Sequence, residues 1–251
     1  MTLKNQPIQE LLIQNAELAM QAPYKLPELT DDVKANELVT DLKGYPHAYV
    51  IACIMDRQIQ YKLAWRIPYE LRERLGHFDF SKLEKISEEE MIRLMREPTV
   101  LHRYPKTMGK AIVKAIALIR KNYDGDASRI WADNPSSELL VKRFSEFHGA
   151  GPKIATMAAN ILMRELRIPV SDRSSIDISA DVHVVRVFER LGFVPQDSSL
   201  ETVIFKAREM HPEYPGIFDL GIWSLGHDIC IANNPKCREC YLSSMCPSCS
   251  G

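Results

Sequence analysis

The sequence predicts an all-α protein built from many helices. Apolar residues recur at intervals of three and four along most of the chain, which is the spacing that lines one face of a helix. Strand-like alternation of apolar and polar residues is scarce. With 251 residues, of which 45% are hydrophobic, the chain can form one large domain or two small ones with a substantial core.

The first predicted helix lies near the N-terminus, where Ile8, Leu11, Leu12 and Leu18 form an apolar stripe. This segment lacks the apolar core and the cleavage site of a signal peptide. No stretch of the sequence is long and apolar enough to suggest a membrane span. We therefore expect a cytoplasmic protein, with a loop at residues 23–32 after the first helix.

Six further helices follow by the same criterion. In one of them, Ile112, Ala115, Ile116 and Ile119 supply the apolar face. Gly192 is expected to end the last one, because glycine readily adopts the left-handed conformation found just after a helix. The predicted helices span residues 46–71, 82–97, 107–123, 138–147, 152–166 and 182–191.

The charge of the chain is balanced overall but uneven locally. Its 32 basic and 33 acidic residues give a formal net charge of −1, which excludes a generally basic nucleic-acid coat but allows a local basic face. Residues 98–123 contain basic residues and no acidic ones. This run predicts either a solvated helix face or a nucleic-acid contact. Its members are Arg103, Lys106, Lys110, Lys114, Arg120 and Lys121.

Residues 147–153, FHGAGPK, predict a hairpin between two helices. Gly149 and Gly151 permit a tight turn, and Pro152 suits the first position of the next helix. Exposed amides at such a turn can bind phosphate oxygens, although a plain helix–helix turn has the same pattern. Lys153 follows directly; it is either a surface lysine near a phosphate or a Schiff-base nucleophile.

Asp181 stands just before a predicted helix and has two interpretations. Aspartate is among the residues preferred at a helix N-cap, which is the simpler interpretation from local sequence. A carboxylate at a helix start can also face a cleft and stabilise a developing positive charge. His183 is expected to be a structural histidine with local hydrogen bonds.

Five of the six cysteines lie between residues 230 and 249, which indicates a metal site. Cys230, Cys237, Cys240 and Cys246 have the spacing C-x6-C-x2-C-x5-C and could hold zinc or a [4Fe–4S] cluster. A zinc knuckle that includes Cys249 and omits Cys230 is the alternative. The remaining cysteine, residue 53, is expected to be a small buried hydrophobe.

These features together resemble the endonuclease III family of DNA glycosylases, within the helix-hairpin-helix superfamily. The cysteine segment CIANNPKCRECYLSSMC, residues 230–246, is the most specific match. FHGAGPK at 147–153 resembles the family hairpin, with Gly149, Gly151 and Lys153 in place. His148 departs from the family pattern, which has proline there.

Three further segments extend the resemblance to roughly residues 45–246. DVH at 181–183 resembles the aspartate motif, and residues 104–126 resemble the helix before the hairpin. MDRQ at 55–58 resembles the helix whose glutamine enters the DNA stack. The segment between hairpin and aspartate is longer than usual, and we expect its extra part, residues 171–179, beside the active site.

The resemblance implies two helical lobes around a DNA-binding cleft. A six-helix barrel lobe is expected at residues 45–165, with the helix-hairpin-helix at about 138–166. An iron–sulfur cluster lobe is expected from residues 1–44 together with 166–251, with the cluster loop at 230–246.

The resemblance also implies an activity. A monomeric base-excision-repair enzyme would remove a damaged base, by family default an oxidised pyrimidine, from double-stranded DNA and cleave the abasic site by β-elimination. An 8-oxoguanine-type glycosylase, a monofunctional mismatch or alkyl-base glycosylase, and a non-catalytic iron–sulfur DNA-binding protein remain as alternatives. The implied residues are Lys153 and Asp181 for catalysis, Gln58, His148, Gly149, Ala150, Gly151, Lys236 and Arg238 for DNA binding, and Cys230, Cys237, Cys240 and Cys246 for a [4Fe–4S] cluster.

Overall fold

A computed structural model describes residues 6–249, and it confirms the all-α prediction because no strand occurs in that range. Within these described residues, twelve α-helices are connected by loops and short 3₁₀ turns, and a π-helical turn covers Leu225–Ile229. The helices are α1 (Gln6–Gln21), α2 (Val33–Thr40), α3 (Pro46–Met55), α4 (Tyr61–Leu75), α5 (Phe80–Leu83), α6 (Glu88–Leu94), α7 (Pro105–Tyr123), α8 (Ser137–Ser145), α9 (Pro152–Arg164), α10 (Val182–Arg190), α11 (Leu200–Met210) and α12 (Asp219–Ser224).

The chain forms two compact units. The central unit is Tyr24–Ser171, and the terminal unit combines the described residues up to Pro23 with those from Asp172 onward. The expected boundaries at 44/45 and 165/166 differ from these. Residues 24–44 belong to the central unit because α2 buries Leu38 and Val39 and packs on α3 and α4.

Helix α3 forms the centre of the central unit, and all its side chains are buried. The Tyr49 ring contacts Trp65, Trp131 and Phe144 at centroid distances of 5.6, 6.0 and 6.3 Å. Its hydroxyl donates a hydrogen bond to the carbonyl of Ala158 at 2.7 Å. These contacts fix α8 and α9, the two helices of the hairpin, against α3.

Two predicted helices are interrupted, so their continuity was wrong. The segment 46–71 breaks between α3 and α4, and Gln58 in the break has a left-handed φ of 56°. The segment 82–97 divides into α5 and α6, because the Ser87 hydroxyl accepts the Glu90 N–H at 3.1 Å and caps a new helix. Apolar periodicity alone detects neither a side-chain cap that starts a new helix nor a residue whose backbone conformation ends one.

The terminal unit contains α1 and α10–α12. Ile8 and Leu12 of α1 are buried, but Leu18 is 58% exposed, so its place on the apolar face was wrong. Gly192 ends α10 with a φ of 71°, as predicted. In the described residues we find no helix with the length and apolar character that crossing a membrane needs.

Candidate functional site

Gln58 lies in a tight turn after α3 and not within a helix, which corrects the expectation for residues 55–58. The helix ends at Met55, whose carbonyl accepts the Arg57 N–H at 2.7 Å. The Gln58 side chain is exposed, and its Oε1 accepts a hydrogen bond from the Tyr104 hydroxyl at 3.0 Å. The turn therefore presents the glutamine at the surface in a fixed conformation.

His102 holds Tyr104, the residue that contacts this turn. Its ring is buried, and its Nδ1 accepts the Tyr104 N–H at 3.0 Å. Burial lowers the pKa of His102, the Arg57 charge lowers it further, and backbone groups of Met55 and Arg57 oppose the shift. A neutral imidazole is the form that can accept this hydrogen bond, so the environment and the contact agree.

The predicted hairpin is present between α8 and α9. Phe147 and Ala150 are buried and anchor it, and the Ala150 N–H donates to the Phe147 carbonyl at 2.9 Å. Gly149 has a φ of 91°, which favours glycine, whereas Gly151 is the N-cap of α9 without a side-chain cap. His148 is exposed. The hairpin thus has the exposed turn and uncapped helix start that suit an anion.

Arg57 is a residue that sequence reasoning missed. A Cβ on Gly149 would collide with the Arg57 guanidinium, so this cation lies directly against the hairpin glycine. Among residues 6–249, no carboxylate forms an ion pair with Arg57. Its position directly before Gln58 was the only signal in the sequence. Turn and hairpin are thereby joined into one surface of the central unit.

Lys153 lies in the first turn of α9, as predicted, and is exposed. The next turn of α9 contacts the Lys153 backbone, because the Thr156 hydroxyl donates a hydrogen bond to the Lys153 carbonyl at 3.1 Å. The amine is therefore on the same helix start as the hairpin amides, on the surface of the central unit.

Asp181 caps α10 in the terminal unit, which confirms the N-cap interpretation of its local role. Its Oδ1 accepts the N–H groups of His183 and Val184 at 2.9 and 3.1 Å. The His183 ring lies 3.1 Å from the Gly226 carbonyl, a local contact as expected. A Cβ on Gly226 would lie 2.7 Å from the His183 carbonyl oxygen, so the π-helical turn approaches the start of α10 very closely. The Asp181 carboxylate is therefore held in place by two backbone N–H groups of a closely packed helix start.

All five C-terminal cysteines line one small cavity in the terminal unit, together with aliphatic side chains such as Leu191 and Leu225. The Arg190 Nη1 lies 3.3 Å from the Cys230 Sγ, and the same guanidinium donates to the carbonyls of Ile231 and Ala232 at 2.8 and 2.9 Å. The end of α10 therefore holds the start of the cysteine loop. Lys236 and Arg238 are exposed between the cysteines.

Cys249 shares this cavity with the four predicted ligands. A hydrogen bond with Cys237, followed by burial, raises the pKa of Cys249 to about 12. Burial likewise raises the pKa of Cys240. Within the described part of the chain, no three histidine, cysteine or carboxylate side chains converge on a single-ion position. The cysteine thiols therefore line the cavity without converging on one position.

Cys53 is a small buried hydrophobe in α3, as predicted, and burial raises the pKa of its thiol. The basic run at 98–123 is less positive than expected. Lys110 pairs with Glu88 at 2.7 Å and Arg120 pairs with Glu84 at 2.6 Å. Acids from the neighbouring segments therefore neutralise part of the α7 surface.

The long segment at 171–179 is packed into the terminal unit. Ile176 and Ile178 are buried. Asp177 accepts two hydrogen bonds from Arg208 at 2.7 and 2.6 Å, and the Ser179 N–H donates to Asp219 at 2.7 Å. Its position relative to a reacting nucleotide stays a prediction.

A helix–hairpin–helix, combined with a cysteine-lined cavity near the C-terminus, defines a class of all-helical protein with a C-terminal cysteine loop. Sequence relatives narrow this class. The chain is 26% identical over 145 residues to Endonuclease III-like protein 1 of Gallus gallus, a match that covers 55% of this chain and 43% of the relative. It is 29% identical over 124 residues to Endonuclease III of Buchnera aphidicola, covering 43% and 51%. The matches thus span about half the length of these curated relatives.

Solved structures agree with the sequence relatives. A trapped endonuclease III–DNA covalent intermediate has a TM-score of 0.64 at 22% identity and covers 99% of this chain and 97% of that chain. A thermostable thymine-DNA glycosylase has the same TM-score at 13% identity and covers 96% of both chains. No protein-family model matches the chain. The chain is endonuclease III-like, in sequence over part of its length and in fold over nearly all of it, which confirms the predicted resemblance.

Proposed function

We propose that this protein is a base-excision-repair DNA glycosylase that removes a damaged base from duplex DNA and cleaves the resulting abasic site. The observation that carries this proposal is the surface of the central unit. There the hairpin amides and Lys153 share one helix start, and Arg57 links the hairpin to the turn that presents Gln58. The similarity to endonuclease III supports the assignment.

DNA binding would use mainly the backbone of the duplex. The amides of His148, Gly149 and Gly151 would bind phosphate oxygens without reading sequence. The Ala150 N–H would instead hold the turn, because it already donates to the Phe147 carbonyl. Gln58 would fill the gap left when a damaged nucleotide turns out of the stack, which costs less for a damaged base than for a sound one. Lys236 and Arg238 would add phosphate contacts from the cysteine loop.

The reaction would divide between an amine and a carboxylate. The Lys153 amine would attack the anomeric carbon of the sugar while the glycosidic bond breaks and the base leaves with the electron pair of that bond. Positive charge that develops on the sugar would be stabilised by Asp181, whose carboxylate two backbone N–H groups hold in place. The sugar ring would then open as the C1′–O4′ bond breaks and O4′ takes a proton, which leaves the lysine–sugar Schiff base. This Schiff base would lose a proton from C2′ and expel the 3′ phosphate, which nicks the strand.

The cysteine cavity fits a [4Fe–4S] cluster in its donor chemistry, because thiolates in aliphatic surroundings are the usual ligands of such clusters. We propose Cys230, Cys237, Cys240 and Cys246 as the ligands, by resemblance to the family spacing. When bound, the cluster would supply the cross-links that hold residues 230–246 in one conformation.

The substrate base is proposed from the resemblance as an oxidised pyrimidine. A monofunctional mismatch glycosylase is the second candidate, because the thymine-DNA glycosylase structure fits the fold as well as endonuclease III does. In that case Lys153 would bind phosphate only, and base release would occur without a strand nick.

Borohydride trapping tests the proposal on duplexes that carry an oxidised pyrimidine, 8-oxoguanine, a G·T mismatch or an abasic site. We expect a covalent adduct with the wild-type protein and with Lys85→Ala, an exposed lysine in the same unit, but none with Lys153→Ala. An undiminished adduct with Lys153→Ala would contradict the lyase assignment. Base release by wild type without an adduct would favour the monofunctional enzyme.

A further inference from the structure

The segment that leads into Asp181 has no regular secondary structure to hold it. Residues 167–181 contain neither helix nor strand, so individual contacts must fix their path. Ser179 and Ala180, directly before the aspartate, are buried. The Ser179 N–H donates to Asp219 Oδ1 at 2.7 Å, and Asp219, the first residue of α12, is only 7% exposed. A buried carboxylate therefore fixes the backbone two residues before Asp181.

A second contact fixes the backbone two residues after Asp181. The π-helical turn approaches so closely that a Cβ on Gly226 would lie 2.7 Å from the His183 carbonyl oxygen. The His183 Nδ1 atom also lies 3.1 Å from the Gly226 carbonyl oxygen. Asp219 and Gly226 belong to one continuous segment, residues 219–229, formed by α12 and the π-helical turn. One segment thus holds the chain on both sides of the aspartate.

The hydrogen bond between Ser179 and Asp219 satisfies a buried polar group on each side. A buried N–H needs an acceptor, and a buried carboxylate needs donors. Asparagine at residue 219 would keep an acceptor oxygen in the same place, whereas leucine has a similar volume and offers none. Exchange for leucine would deprive the Ser179 N–H of this acceptor and let the residues before Asp181 shift.

We infer that Asp219 is a positioning residue that holds the Asp181 carboxylate where positive charge develops on the sugar. This inference rests on the proposed function, and Asp219 itself touches no substrate. A displacement of about 1 Å in a catalytic site can lower the rate about a hundredfold. The loss should be selective, because a preformed abasic site has no base to release and its cleavage begins with attack by Lys153. Base release should therefore fall much more than abasic-site cleavage.

Single-turnover rates test the inference on two substrates. One is the oxidised-pyrimidine, 8-oxoguanine or G·T duplex that wild type processes fastest, and the other is a duplex with a preformed abasic site. We expect Asp219→Leu to slow base release by about tenfold to a hundredfold and to leave abasic-site cleavage unchanged. Asp219→Asn should release the base nearly as fast as wild type, because it keeps the acceptor. If wild type releases the base without cleaving abasic DNA, affinity for a tetrahydrofuran duplex replaces the second rate.

Arg208→Ala is the matched control, because it removes a contact to Asp177 of the same segment that an exposed side chain supplies. It should behave as wild type on both substrates. Gly226→Ala disturbs the second fixed point and should also slow base release selectively, which keeps the test decisive if Asp219→Leu does not fold.

Three results would overturn the inference and leave the proposed function intact. They are an equal loss on both substrates, no loss in Asp219→Leu and Gly226→Ala, and a loss in Asp219→Asn as large as that in Asp219→Leu. A wild-type protein that neither releases a base nor cleaves abasic DNA would overturn the proposed function as well.

Discussion

At the residue scale, Arg57 is the least expected member of the proposed DNA interface. Its guanidinium lies against Gly149 and has no carboxylate partner among residues 6–249, in contrast with Arg93, which both Glu90 and Glu97 bind. If the hairpin amides bind a phosphate group, as proposed, this cation would contact the same phosphate group or its neighbour. The hairpin could be predicted from two glycines and a proline, whereas Arg57 could not, because its contact joins segments far apart in the sequence.

Arg57→Ala should weaken binding to undamaged duplex DNA and make it less sensitive to salt. Each lost phosphate contact lowers the slope of log affinity against log salt concentration by about one. Arg93→Ala removes the same formal charge, but from a side chain whose charge two carboxylates already compensate. We expect it to leave the slope unchanged. Affinity measured over a range of salt concentrations distinguishes the two variants, and equal slopes for wild type and Arg57→Ala would contradict this role.

At the element scale, helix breaks were harder to predict than helices. The periodic patterns of α7, α8, α9 and α10 predicted these helices well, because each packs one apolar face. The turn at 56–60 was missed because the apolar pattern continues through it from α3 to α4, so no change of period marks the break. The same turn carries Gln58, so the local structure that matters most for the candidate interface was the part that periodicity could not show.

The cysteine loop is the element whose chemistry can be tested most directly. Serine at residue 230, 237, 240 or 246 should each remove the brown colour and visible absorbance expected of an iron–sulfur protein, and lower its iron content. Cys249→Ser is the matched control, because Cys249 lines the same cavity but is not among the proposed ligands. We expect it to keep both signals. Loss of iron from Cys249→Ser with retention of iron in Cys246→Ser would show that Cys249, and not Cys246, is the fourth ligand. A colourless wild-type protein that contains stoichiometric zinc would refute the iron–sulfur cluster.

At the scale of the whole molecule, the proposed functions divide between the two units. The central unit carries Gln58, the hairpin and Lys153, and the terminal unit carries Asp181 and the cysteines. With a net charge of −1, the proposed DNA affinity could not come from the chain as a whole. It would come from local groups, and Lys110 and Arg120 would contribute less than the sequence suggested because acids bind them.

Global stability should fall in mildly acid solution. Burial lowers the pKa of both His47 and His102 from the ordinary value of 6.5. The unfolded chain therefore takes up protons that the folded protein resists, so the stability is present above about pH 6.5 and is lost as the pH falls below it. Urea unfolding at about pH 7.5 and pH 5 measures the difference.

His102→Asn should reduce this difference in unfolding free energy, because it removes one of the two buried imidazoles. His148→Asn is the control, since the His148 side chain is exposed in the hairpin. It should behave as wild type. A pH dependence that is the same in all three proteins would show that His102 does not contribute to it.

Helix α10 has a consequence for the synthesis of the protein. Asp181 caps its start, where Gly226 packs closely, and Arg190 near its end binds the carbonyls of residues 230–232. A ribosome synthesises these partners 40 or more residues after the end of α10 that each of them contacts. The hairpin and Lys153 are therefore synthesised well before the contacts that hold the carboxylate. A nascent or truncated chain would therefore have the proposed DNA-binding surface before it had both members of the proposed catalytic pair.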